Sequence, residues 1–229
     1  RVLVAILLAA CAFAQAGFLP DGAFSDQARG TAAVSFLKLN PSARGSALGD
    51  SLSMSSSDPA GGFRMPAAFA GGNAEKPFFT IGSSLLPEDL MQASFFYGHP
   101  LRRGRIVFGT HELLQPALDL YDVYGSKTGD FRPWDGSFLI GYAQAPRGIA
   151  WGTALTYSQS KIGPGISGSA LAANAGVNFP FGYFSDPNMS LAFALNNVGP
   201  EAQIQNKSYP LPMRAQTALG YRMGPRATA

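Results

Sequence analysis

From residue 77 onward, large and small side chains alternate along the chain. In residues 149–160, Ile149, Trp151, Thr153, Leu155 and Tyr157 are interleaved with Ala150, Gly152, Ala154, Thr156, Ser158 and Ser160. Side chains of a strand point alternately to its two faces. This segment therefore presents an aromatic and aliphatic surface on one side and a smooth, mildly polar one on the other. The same division recurs where Met189, Leu191, Phe193 and Leu195 oppose Ser190, Ala192, Ala194 and Asn196. It recurs again where Leu171, Ala173, Ala175, Val177 and Phe179 oppose Ala172, Asn174, Gly176 and Asn178. Near the end, Met213, Ala215, Thr217, Leu219 and Tyr221 alternate with Arg214, Gln216, Ala218, Gly220 and Arg222, which assigns two arginines to the small-residue face.

Residues 78–84, 91–98, 105–111 and 137–145 are further strands by the same pattern, with 117–124 the weakest, for about nine in all. Stretches of about nine to eleven residues separated by Gly, Pro, Asp and Asn suit tilted membrane strands. After the N-terminus, no apolar run is long enough for a membrane helix, so a membrane-embedded form must be a barrel. The predicted fold is all-β, a transmembrane antiparallel β-barrel incomplete within this chain. A single-chain barrel normally has an even number of strands from eight upward, and residues 223–229 carry no final aromatic strand, so further C-terminal strands are expected.

The first 75 residues read differently. Val2 to Ala14 is apolar and resembles a secretory h-region, with Arg1 the remnant of a charged n-region and small-x-small sites at Ala12-Phe13-Ala14 and Ala14-Gln15-Ala16. Residues 1–16 are thus a predicted signal peptide; the alternative is lipoprotein processing at Cys11, the single cysteine. Cleavage after 14 or 16 leaves a mature chain without disulfides. Residues 17–75, with Pro41, Pro59, Pro66 and a Ser-rich patch at 51–57, show no sustained period of two. Short helical turns are predicted at 32–39, with Val34 and Leu37 on one side, and after Pro66. The segment is either a loose lead-in or a hatch folded against the strands of 76–229.

Composition narrows the classes. Of the 229 residues, 46% are hydrophobic and 14% charged, against roughly a quarter charged in a soluble domain. The 17 Phe, 8 Tyr and 2 Trp exclude intrinsic disorder. The net charge of +3 is spread along the chain with no basic run beyond Arg102-Arg103, which excludes a nucleic-acid partner.

The run Phe36-Leu37-Lys38-Leu39-Asn40-Pro41-Ser42-Ala43-Arg44-Gly45-Ser46-Ala47-Leu48-Gly49-Asp50 resembles the opening motif of the PorV/PorQ family, a branch of the FadL-like outer-membrane barrels. Asp58-Pro59 and Met65-Pro66-Ala67-Ala68 follow where that family has an Asn-Pro-Ala-Gly-like turn, with Met65 in place of Asn and Arg64 in place of an aromatic residue. Leu195-Asn196-Asn197-Val198-Gly199-Pro200 and Tyr209-Pro210-Leu211-Pro212-Met213-Arg214 are similar to the family's Leu-x-Asn-x-Gly turn and Pro-Leu-Pro strand opening. The resemblance spans residues 30–223. It implies a FadL-like barrel of about fourteen strands, of which this chain holds about two thirds, with an N-terminal hatch. Phe36, Leu37, Arg44, Gly45, Gly49, Asp50 and Pro66 are the hatch-motif residues, and Arg44 is the expected lock onto carboxylates or carbonyls.

The resemblance also implies a bacterial outer-membrane location and outer-membrane lipid as surroundings. Two roles follow from it, passage of hydrophobic small molecules and service with other proteins of type IX secretion. A soluble exported β-sandwich adhesin is the alternative, and it predicts charged residues on one face and buried large ones on the other. An outer-membrane lipid hydrolase is a third class. The only histidines, His99 and His111, lie at ends of predicted strands and read as interfacial, and no Gly-x-Ser-x-Gly is present. No catalytic, cofactor-binding or metal-binding residue is assigned. Glu112, Asp119, Asp122, Asp130 and Asp135 fit no calcium loop by spacing. Residues 163–168 spell a dinucleotide fingerprint but sit between strands, as a glycine-rich hairpin loop.

Overall fold

The computed structural model describes residues 32–50, 58–72, 75–205 and 207–221. The predicted signal segment 1–16, the Ser-rich patch 51–57, Asn206, Arg222 and residues 223–229 lie outside the described residues.

The chain is all-β apart from short helical turns. Its strands are β1 (Phe78–Leu85), β2 (Met91–Leu101), β3 (Gly104–Leu114), β4 (Leu118–Tyr121), β5 (Lys127–Phe131), β6 (Trp134–Gln144), β7 (Ala150–Gly163), β8 (Ile166–Phe179), β9 (Met189–Val198), β10 (Ala202–Ile204), β11 (Lys207–Tyr209) and β12 (Arg214–Tyr221). Ten of them form one antiparallel sheet in which β1, β2, β3, β6, β7 and β8 are successive neighbours. Both β9 and β10 lie on the far side of β8, which pairs with β10 at Gly168 and Ser169 and with β9 from Ala173 to Phe179. Beyond them β11 pairs with β10 and β12 with β9. The sheet is therefore an up-and-down meander whose last two members are interrupted strands. Among the described residues its edges, β1 and β11/β12, do not pair with each other.

The interruptions fall on the two C-terminal motifs. Asn197 adopts a left-handed backbone, φ 57°. Its N–H donates to Asn174 Oδ1 and its Nδ2 to the Pro212 carbonyl, so the break in one strand is tied to the break in the next. Pro210 and Pro212 lack the N–H that a continuous ladder needs. The pattern-based count of nine strands becomes ten in the sheet because these breaks add β10 and β11, while the expected strand at 117–124 falls outside it.

Residues 117–124 are not a wall strand. β4 and β5 form a separate hairpin beyond the sheet. Its tip is a side-chain-capped turn, with Asp122 Oδ1 accepting from the N–H groups of Tyr124 and Ser126. Asp119, Lys127 and Asp130 pair on one side, and Leu118 stands opposite Phe131 on the other.

Burial follows the alternation. In β7 the small residues from Ala150 to Ser160 are buried, while Leu155 and Tyr157 are 53% and 50% exposed. Phe79 and Ile81 of β1 are each 73% exposed. Phe95, Phe138, Ile140, Leu171, Phe193 and Leu219 lie on the same outer face and are also exposed. What covers the inner face is the N-terminal segment, through a short helix (Ala43–Ala47) and 3-10 turns at Ser35–Lys38, Pro59–Phe63 and Pro66–Ala70. Phe36, Leu37, Phe63 and Phe69 from these turns share a buried core with Phe96, Val107 and Leu139 of the sheet. Each such side chain contributes about 1.5–3 kcal/mol on burial.

Candidate functional site

The junction between the N-terminal segment and the inner face of the sheet gathers the buried polar chemistry of the chain. Its first part is built from residues 40–50. Ser42 Oγ accepts from the Gly45 N–H and so caps the helix Ala43–Ala47, while the same hydroxyl donates to Asp58. Asp58 in turn caps the turn Pro59–Phe63 through the Ala60 N–H, with Pro59 at the first position, where no N–H is needed. Asn40 fastens both ends of the run: its Oδ1 accepts from the Ser42 N–H and its Nδ2 donates to Asp50 Oδ1 at 2.8 Å.

Gly49 and Asp50 both have left-handed backbones, φ 61° and 64°. They end the helix, with the Asp50 N–H donating to the Gly45 carbonyl. That turn aims the Asp50 carboxylate at two arginines. Arg214 of β12 donates to Oδ2 at 2.9 Å, and Arg64 approaches the same oxygen at 3.8 Å. Arg64 is itself buried and donates to the Lys38 carbonyl. Asp50 thus joins two parts of the N-terminal segment to the outermost strand of the sheet. Partial burial pushes its carboxyl up, but the hydrogen bonds from Asn40 and Arg214 and the charges of Arg64 and Arg214 outweigh this and hold it below the usual aspartate value.

A second attachment lies at the other side. Arg105 of β3 donates from Nη1 to the Phe69 and Gly71 carbonyls, each at 2.9 Å, and from Nη2 to the Lys76 carbonyl at 3.1 Å. Its guanidinium lies over the Phe78 ring, 4.9 Å from the centroid. Between the attachments the turn at Pro66 rests directly on the sheet. A Cβ at Gly152 would overlap the Pro66 carbonyl, so the glycine is what lets the two backbones touch.

The hatch-motif residues fall into two groups. Phe36, Leu37, Gly45 and Pro66 are buried, and Gly49 and Asp50 make the turn just described. Arg44 is exposed on the helix, and Arg64, Arg105 and Arg214 bind carbonyls or the Asp50 carboxylate. Sequence placed Arg214 on the inner face by alternation, whereas Arg64 sits in an irregular segment where no periodicity points to it. His111 was read as interfacial and proves to be fully buried on the inner face, packed against the rings of Phe36 and Phe63 at 5.5 and 5.0 Å. Its neighbours across the sheet are Ser94 and Ser137. Neither ring nitrogen has a hydrogen-bond partner among the described residues, so the geometry does not form a Ser–His pair. His99 is outward-facing and within 3.1 Å of the Tyr97 hydroxyl. The acids Glu112, Asp119, Asp122, Asp130 and Asp135 are not gathered into one cluster.

Asp50→Asn is expected to loosen residues 43–50 by about 1–2 kcal/mol, the loss of a charge-assisted bond at a partly exposed site. The check is faster amide hydrogen exchange there with unchanged protection in β7 and β8. The pH dependence has a definite sign. Because the folded carboxyl is more acidic than a free aspartate, the latch is at full strength above the ordinary aspartate value. It weakens only as pH falls through the lower folded one. Loosening of the wild type already at pH 6 would contradict this.

Fold and site together define the class: an antiparallel β wall whose small-residue face is closed by the chain's own N-terminal segment. No protein-family model matches the chain, and no curated protein matches it.

Proposed function

We propose that this protein is an outer-membrane β-barrel of the PorV/PorQ kind, its lumen closed by residues 32–72 acting as a hatch. On this reading it serves type IX secretion with other envelope proteins or the passage of hydrophobic small molecules. The observation that carries the reading is the uncovered outer face. Aromatic and aliphatic side chains from Phe79 on β1 to Leu219 on β12 stand exposed across the sheet, and nothing among the described residues packs on them.

In water such a surface is far larger than a monomer tolerates, whereas in a bilayer it is the face that meets lipid. A β-sandwich adhesin needs the opposite arrangement, with large residues inside and polar ones outside. Here the inner residues are Ala, Gly, Ser, Thr and Asn, which suit contact with a hatch or with a wet lumen. The two attachments at Asp50 and Arg105 are the points at which such a hatch would be released.

The test is outer-membrane fractionation of the full-length protein in cells, with gel mobility compared before and after boiling. A heat-dependent shift in the outer-membrane fraction is expected, since a closed barrel migrates compactly until its ladder is melted. A soluble periplasmic or secreted product without the shift would sink the barrel and both roles with it.

A further inference from the structure

The two ends of the sheet differ in charge. At one end the chain turns between β2 and β3 through Arg102 and Arg103, and between β6 and β7 through Arg147. These turns are neighbours, because β3 pairs with β6 and Arg105 stands opposite Ala143. All three arginines are exposed, and none has a carboxylate partner among the described residues. On the inner side of this end a cleft of about 550 Å³ opens between the sheet and the N-terminal segment, lined among others by Ala70, Arg103, Arg105, Ala143 and Gln144. The basic end also carries Glu75 and Asp186, and the opposite end carries Glu88, Asp89, Asp119, Asp122, Asp130 and Asp135 against Lys127, Arg132 and Lys161, an excess of acids there.

The turns are also held in shape. Tyr142 donates its hydroxyl to the Arg103 carbonyl, and Arg147 and Gly148 both adopt left-handed backbones, φ 54° and 86°. Just inside the basic end, on the outer face, lie Tyr97, Tyr142 and Trp151. Tyr142 and Trp151 are in edge contact, with ring centroids 5.9 Å apart. Aromatic rings of this kind sit at the level of lipid headgroups, with their polar edges toward water.

We infer that the basic end is a binding surface for the phosphate headgroups of anionic phospholipid, with Arg102 and Arg103 on one turn and Arg147 on its neighbour. The inference rests on the barrel reading. It goes beyond that reading by assigning lipid chemistry to one rim and by fixing which rim it is. A guanidinium fork matches the oxygens of a phosphodiester in a way a lysine does not. An aromatic ring over the first acyl carbons and an arginine over the phosphate address the two parts of one lipid.

The chain's two tryptophans make the test direct, since Trp134 begins β6 at the acidic end and Trp151 begins β7 at the basic one. The full-length protein with Trp151 as its one tryptophan, Trp134 and any other replaced by phenylalanine, is reconstituted in vesicles of phosphatidylcholine mixed with either brominated phosphatidylglycerol or brominated phosphatidylcholine, and Trp151 quenching gives their relative binding constant. Each arginine near an anionic surface is worth about fivefold. A preference for phosphatidylglycerol of at least about fivefold is therefore expected, falling to near one in R102A/R103A/R147G, where glycine keeps the left-handed turn. With Trp134 as the one reporter instead, near Lys161 and Arg132, any preference is expected to be unchanged by the triple substitution.

Equal quenching of Trp151 by the two lipids, or a preference that survives the triple substitution, would overturn the headgroup assignment while leaving the barrel intact. Removal of the preference by millimolar inorganic phosphate would replace the lipid by a soluble anion and also overturn it. Absence of quenching by either lipid at both tryptophans would mean that the protein is not in the bilayer, and barrel and lipid surface would fall together.

Discussion

Leu155→Arg and Phe193→Arg are each expected to abolish most of the heat-modifiable, membrane-assembled protein, whereas Ala154→Ser and Ala194→Ser leave it near the wild-type amount. The four positions are adjacent pairs on β7 and β9, so propensity and local sequence are matched and only the face differs. Leu155 and Phe193 are 53% and 38% exposed on the outer face. On the proposed barrel reading an arginine there costs about 2–4 kcal/mol at the bilayer midplane. Ala154 and Ala194 are buried on the inner face, yet a hydroxyl at either finds company. Ala154 stands opposite Asn174, and Ala194 opposite Gln216. A hydroxyl that gains a partner is close to neutral. Were the outer face in contact with water instead of lipid, an exposed arginine would be harmless and the difference between the two pairs would vanish. Equal tolerance at all four positions would remove the inside-outside assignment.

The wall was legible in the sequence because one physical rule, alternation of faces, acts on every residue of a strand and leaves a mark long enough to count. Ala154 between Thr153 and Leu155 declares its side without any tertiary information, and so does Arg214 between Met213 and Ala215. The rule fails where the chain stops alternating. The break at Asn197 and Pro212 depends on Asn174 Oδ1 of another strand accepting from the Asn197 N–H, a contact that no local pattern encodes. The hairpin β4–β5 alternates weakly and is held by Asp122 and Lys127, so polarity and turn chemistry outweigh period there.

In the N-terminal segment the caps at Ser42 and Asp58 follow known local preferences, but their hydroxyl-to-carboxylate link joins residues sixteen apart. Arg64, which reaches the Lys38 carbonyl, is farther from its partner still. Arg44 and Arg64 have the same chemistry, and only the path of the chain decides that one faces out and the other in. His111 was misplaced for a related reason: alternation assigns it to the inner face, but its position near the end of a predicted strand suggested the interface. The observed strand runs on to Leu114, which carries His111 inside.

Arg105→Ala is expected to release the C-terminal part of the segment, residues 66–76, from the sheet. Three carbonyls, those of Phe69, Gly71 and Lys76, accept from this one side chain. A hydrogen bond to a charged donor contributes about 1.5–3 kcal/mol, and an acceptor left buried without a partner costs a further 1–3 kcal/mol, roughly. The three bonds share one guanidinium and are not additive, so a total on the order of 3–5 kcal/mol is expected, larger than at Asp50, where Asn40 still holds the turn. Arg105 also covers the Phe78 ring, which loses its cation when the residue is cut back. Limited proteolysis in detergent reads the effect: cleavage within 66–76 should accelerate by more than a hundredfold, with β6 to β8 still protected. Arg105→Lys separates charge from geometry. A single ammonium can reach one or two of the carbonyls but not all three in the plane of a fork, so it should recover part of the protection and not the whole. Full protection in Arg105→Ala would mean that the apolar contacts of Phe63 and Phe69 with Phe96 suffice to seat the segment. Polar control of its release would then rest with the latch at Asp50 and the bond from Gln92 Nε2 to the Asn40 carbonyl.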